Sequence, residues 1–91
     1  MSRKTRGDNR DVAELFIESA KYILGENKKF PKLAGDPAQV EATKRAIETS
    51  RALYEALNDD RTTAPRAIEL AEEKKTAAEN FRKVTGADWK L

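Results

Sequence analysis

The stretch DPAQVEATKRAIETSRALYEALNDDRTTAPRAIELAEEKKTAAENFRKVTG, residues 36–86, contains two complete helix signatures in succession. Asp36 followed by Pro37 is an N-cap with proline at the first helical position, and Gln39 stands where a capping box needs it. From there Val40, Thr43, Ala46, Ile47, Ser50, Leu53, Tyr54 and Leu57 share one helix face about 140° wide. Positions 40, 43, 47, 50, 54 and 57 form a heptad seam, which asks for one partner surface. This predicts a helix over 37–57. After the polar connection Asn58 to Thr62, Thr63 caps a third helix whose first turn tolerates Pro65, because its backbone donors there have no partner anyway. Gly86 ends that helix, so it spans 64–85. Its apolar residues, chiefly Ala64, Ala67, Ile68, Leu70, Ala71, Ala77, Ala78, Phe81 and Val84, spread over about 200° and are mostly alanine, which permits close backbone approach. Two helices of similar length on a short connector fold back as an antiparallel hairpin.

Toward the N-terminus, Asp8 is a candidate N-cap with Asp11 at the third helical position, and Gly25 supplies a stop, giving a helix over 8–24. Its apolar positions, Val12 to Leu24, cover about 220°, more than one neighbour can bury. That helix is expected either to be sandwiched between the other two or to form the seam of an oligomer. Residues 1–7 hold Arg3, Lys4 and Arg6 and no apolar side chain after Met1, which reads as a flexible basic arm ahead of one helical domain over 8–91. Residues 26–35 lack periodicity and form a loop. In the tail ADWKL, Trp89 and Leu91 are expected to fold back onto one end of the bundle. The fold class that follows is all-α, a three-helix bundle.

Composition points the same way. Ala, Glu, Lys, Arg and Leu make up 49 of the 91 residues, the balance of long helices. Only 21 of the apolar residues are larger than alanine, so the core is thin, with no cysteine to staple it. The longest apolar runs are three residues, and none follows the charged N-terminus as a secretory signal requires, so a cytoplasmic protein without a membrane span is expected.

The absence of His and Cys removes the common zinc sites, thiol nucleophiles, catalytic triads and imidazole acid/base chemistry. Of the carboxylates Glu69, Glu72, Glu73 and Glu79, Glu69 lies near Arg66, Glu72 near Lys75, and Glu79 near both Lys75 and Lys83, at the three- or four-residue spacing of solvated pairs. The four glycines stand apart at element edges, so no phosphate-cradling loop exists. A non-enzymatic protein with no catalytic residues, cofactor, metal site or small-molecule substrate is expected.

Function is then expected to lie in docking: a helical interaction or assembly module whose partner is a protein or a second copy of the chain, engaged through Phe16, Tyr22, Phe30 and Trp89. The rival expectation is a nucleic-acid-associated protein. Arg3, Lys4, Arg6 and Arg10 with Lys28, Lys29 and Lys32 would contact phosphates, and Phe30 would stack on a base. One residue fits neither scheme. Lys74 lies inside the apolar arc of its helix, about 60° from Ala71 and about 40° from Ala78, so its ammonium either snorkels outward or meets an acidic group on a partner.

Overall fold

The computed structural model describes the backbone of residues 2–33 and 35–91 and the side chains of residues 13–33 and 35–91. Its helices are α1 (Ser2–Ile23), α2 (Pro37–Leu57) and α3 (Ala64–Thr85), which form an all-α three-helix bundle. Four of their ends follow from local chemistry. At the start of α2, Asp36 Oδ1 accepts the Gln39 N–H at 2.9 Å. At the start of α3, Thr63 Oγ1 accepts the Arg66 N–H at 3.4 Å. Past the end of α1, Gly25 has φ of 84°, with Gly25 N donating to Tyr22 O and Glu26 N to Lys21 O, the paired bonds of a Schellman stop. Past the end of α3, Gly86 has φ of 80° and gives the single bond to Arg82 O.

α1 departs from expectation at its start, Ser2 rather than residue 8. No proline lies in residues 2–12, and Gly7 costs a helix only about 1 kcal/mol, so nothing halts a helix that propagates backward past Asp8. The side chains of the basic residues Arg3, Lys4, Arg6 and Arg10 lie outside the described residues.

A second departure concerns the order of packing. α2 and α3 share the most extensive contact as the expected hairpin, and α1 lies on α2. The central helix is therefore α2, not α1, and α2 has two neighbours where its seam asked for one. The reason is the width of its small-residue face. Ala42, Thr43, Ala46, Ile47, Thr49 and Ser50 are all buried, so alanines and hydroxyl residues on both sides of the seam admit a helix on each flank. Thr43 and Thr49 meet the cost of burial by donating to the carbonyls of Gln39 and Arg45 at 2.8 and 2.7 Å. Among the described residues, the large buried apolar side chains are Ile23, Ile47, Leu70 and Phe81.

α1 contributes Ile23 and the fully buried Ser19 to this contact, while Ile17 and Leu24 stay exposed. Among the described residues the Ser19 hydroxyl finds no hydrogen-bond partner. A buried hydroxyl without a partner carries an unrepaid desolvation cost, and alanine fits the same space. Ser19→Ala is accordingly expected to stabilise the protein by about 1 kcal/mol, read as a raised urea midpoint at unchanged slope. A fall in the midpoint would mean that the hydroxyl is satisfied.

The third departure is the tail. Rather than covering an end of the bundle, it turns at Gly86 and runs back along the flank, so that Leu91 reaches Lys74 in the middle of α3. On the way Trp89 touches all three helices. Its ring lies 5.4 Å from Phe16 of α1 and 5.1 Å from Phe81 of α3, and its Nε1 donates to Ser50 Oγ of α2 at 2.8 Å. Phe16 and Phe81 themselves meet edge to face at 6.4 Å. The tail thus fills a trench whose walls are α1 and α3 and whose floor is α2.

Candidate docking groove

The trench is filled from one end only. Beyond Leu91 it continues as an open groove of about 270 Å³, formed by Ala20 and Ile23 of α1, Leu24 just past its end, Leu53, Tyr54 and Leu57 of α2, and Lys74 of α3, with Ser50 and Leu91 at its closed end. Apolar side chains dominate its lining, and among the described residues that form it Lys74 has the one charged side chain. At the mouth stand exposed apolar residues: Leu57 at 67% of its full exposure, Leu24 at 49% and Tyr54 at 39%. The heptad seam of α2 is therefore spent internally over its first half and left uncovered over its last turn.

Lys74 takes a position that neither sequence reading anticipated. Its Nζ donates to the Leu91 main-chain oxygen at 2.6 Å, in a half-buried setting. Leu70, Ala71, Ala77 and Ala78 surround it on its own helix. No Asp or Glu side chain among the described residues lies within 4 Å of its nitrogen.

The four aromatic residues expected to meet a partner are half-buried and drawn into two internal clusters. Phe16 and Trp89 belong to the trench packing just described. Tyr22 is enclosed by Phe30, edge-on at 5.0 Å, and by the Arg51 guanidinium 4.4 Å above its ring. Glu55, accepting from Arg51 Nε at 3.1 Å, and Tyr22 together raise the guanidinium pKa above its ordinary value, Glu55 contributing more. Lys28, Lys29 and Lys32 are exposed on the loop, but the Phe30 ring between them is engaged with Tyr22, so a base stacking there would have to displace a tyrosine.

Ion pairing elsewhere is peripheral. Of the pairs anticipated on α3, Arg66 with Glu69 forms, whereas Glu72, Glu79, Lys75 and Lys83 make no ion pair within 4 Å among the described residues. In the connector, the Arg61 backbone N–H, and secondarily its side chain, hold the Asp59 carboxyl below the ordinary aspartate range. Among the described residues no three acidic side chains gather as a metal site would require, and no helix is long and apolar enough to cross a membrane.

Sequence reading placed Tyr54 and Leu57 on a seam but did not show that this end of the seam stays uncovered. The missed signal is the partner strip for the last turn of α2: opposite it, α3 begins Ala64, Pro65, Arg66, Ala67, too small and polar to cover two large side chains. Compared with protein-family models, curated proteins and solved structures, the chain matches none.

Proposed function

We propose that the protein is a non-enzymatic helical interaction module that docks an apolar helix, from a partner protein or a second copy, across the mouth of the groove. The observation that carries this reading is the clustering of Leu24, Tyr54 and Leu57, three large exposed apolar side chains from α2 and the turn after α1 around one concavity. Single exposed apolar residues are ordinary, whereas a contiguous set rimming a groove marks a contact site. A helix laid there would present side chains at three- and four-residue spacing, completing the last turn of the α2 seam that the fold leaves open.

The test is site-specific photo-crosslinking in cells that make the protein, with a benzophenone amino acid at position 57 and, as control, at the exposed α3 position 72. A discrete adduct from 57 and none from 72 is the expected result, and its mass distinguishes a second copy from a different protein. Adducts from both positions, or none from 57, would overturn the proposal.

A further inference from the structure

The fold leaves one side of α1 without a neighbour. α1 packs on α2 through Ser19 and Ile23 and touches α3 through Phe16, yet its apolar face is wider than those contacts. The remainder is a stripe of Ala13, Ile17, Ala20 and Leu24, which recur at spacings of four, three and four residues and lie within about 60° on the helix wheel. Leu24 keeps the helical register, since its N–H donates to Ala20 O at 2.9 Å. Ile17 is 54% exposed, Ala13 and Leu24 are exposed on either side of it, and Ala20 is half-buried at the edge of the groove. This is the a/d spacing of a short coiled coil, with small and large side chains in alternation.

The geometry points to a homodimer in which this stripe packs antiparallel on the same stripe of a second copy. With a two-fold axis between positions 17 and 20, Ile17 meets the partner's Ala20 and Leu24 meets the partner's Ala13, so each large side chain enters the space over an alanine. A parallel pairing sets Ile17 on Ile17 and Ala20 on Ala20, which leaves the alanine layers hollow. Charge makes the same choice. Glu14 and Lys21, both exposed, stand seven residues apart along one flank of the stripe. In the antiparallel arrangement that flank faces its own reverse, which brings Glu14 to the partner's Lys21 and Lys21 to the partner's Glu14 as two equivalent ion pairs. Among the described residues Lys21 pairs only with Glu18, at 4.0 Å and with both side chains half exposed, so redirecting it costs little. About three helical turns take part, less than the roughly 1,200 Å² of a stable complex requires, so the association is reversible. The stripe shares Ala20 and Leu24 with the groove but needs no helix docked there, so either reading can fail without the other.

Sedimentation equilibrium of the full chain tests this. The weight-average mass is expected to rise from the 10.2 kDa of one chain toward twice that value across about 10 μM to 1 mM, the window in which a small interface dissociates. Ile17→Glu puts a charge from each copy into the seam and should weaken association at least ten-fold at unchanged helicity. Glu14→Lys and Lys21→Glu should each weaken it several-fold. The two together should restore it to within two-fold of the wild-type chain, because the ion pairs re-form with their signs exchanged. Leu57→Glu, placed in the groove, should leave the dimer intact. A mass that stays at one chain throughout, a double variant no better than either single one, or a dimer lost with Leu57→Glu but kept with Ile17→Glu would overturn the assignment.

Discussion

Trp89→Ala is expected to lower stability by about 3 kcal/mol, the lower end for truncating a large aromatic because Trp89 is half-buried rather than fully enclosed. For a domain of this size that is a fall of roughly 10 to 20 °C in melting temperature. The loss has two parts. The ring is the joint packing partner of Phe16 and Phe81, and its Nε1 is the donor to Ser50 Oγ, a side chain buried within α2. Trp89→Phe separates them: it keeps a ring in the trench and strands the Ser50 hydroxyl, at a cost of about 1 to 2 kcal/mol. The effect should also be unevenly distributed. α1 rests on α2 and reaches α3 through Phe16, so amide exchange in the described part of α1 should accelerate before that of the α2–α3 hairpin. Uniform acceleration across all three helices, or a melting temperature within a few degrees of wild type, would show that the tail decorates the bundle instead of closing it.

Ile47→Ala is expected to cost about 3 to 4 kcal/mol and to act differently. Ile47 has no exposed surface and sits midway along the central helix among Ala42, Thr43, Ala46 and Ser50. With so few large side chains in the interior, no neighbour can collapse into the space that its three missing carbons leave, so the cavity penalty applies nearly in full. A chain of 91 residues has a total stability of about 5 to 14 kcal/mol, so this one change consumes a large fraction of it. Because α2 touches both other helices, the whole cooperative unit should weaken together, with α1 and α3 exchanging at equally raised rates. Ile47→Val, losing one carbon, should cost about 1 kcal/mol. A denaturation midpoint for Ile47→Ala close to that of Ile47→Val would mean that the core is softer than its burial indicates.

What could be read from the residues in order, and what could not, divides along the range of the physics. Helix ends are decided within five residues: the Asp36 and Thr63 oxygens reach N–H groups three positions on, and Gly25 and Gly86 turn the chain where they stand. These were legible, and with them the hairpin of α2 and α3. Layer order was not. It depends on how closely backbones approach, and a reading weighted toward large side chains gave α1, with its wide face of Leu, Ile and Phe, the central place that Ala42, Ala46 and Ser50 secure for α2. Nor was the path of the tail legible. Gly86 announces that the helix stops but carries no information about which trench the chain then follows, and nothing near Ser50 in the sequence marks it as the acceptor for an indole 39 positions away. The groove shares that origin. Leu24, Leu57, Lys74 and Leu91 come from four separate segments, so only tertiary packing assembles them.

The contact between Phe16 and Trp89 joins positions 73 apart. Closing so long a loop carries an entropic penalty that grows only as the logarithm of its length, yet it must be met before any of its rewards arrive. The hairpin needs no such closure, so it should assemble first and wait. During synthesis the wait has a definite end: α1 leaves the ribosome earliest, but its seat is incomplete until position 89 follows. Until then the first rod made has α2 alone to lie against, because the hairpin is itself complete only at Thr85, four positions before the indole that clamps all three.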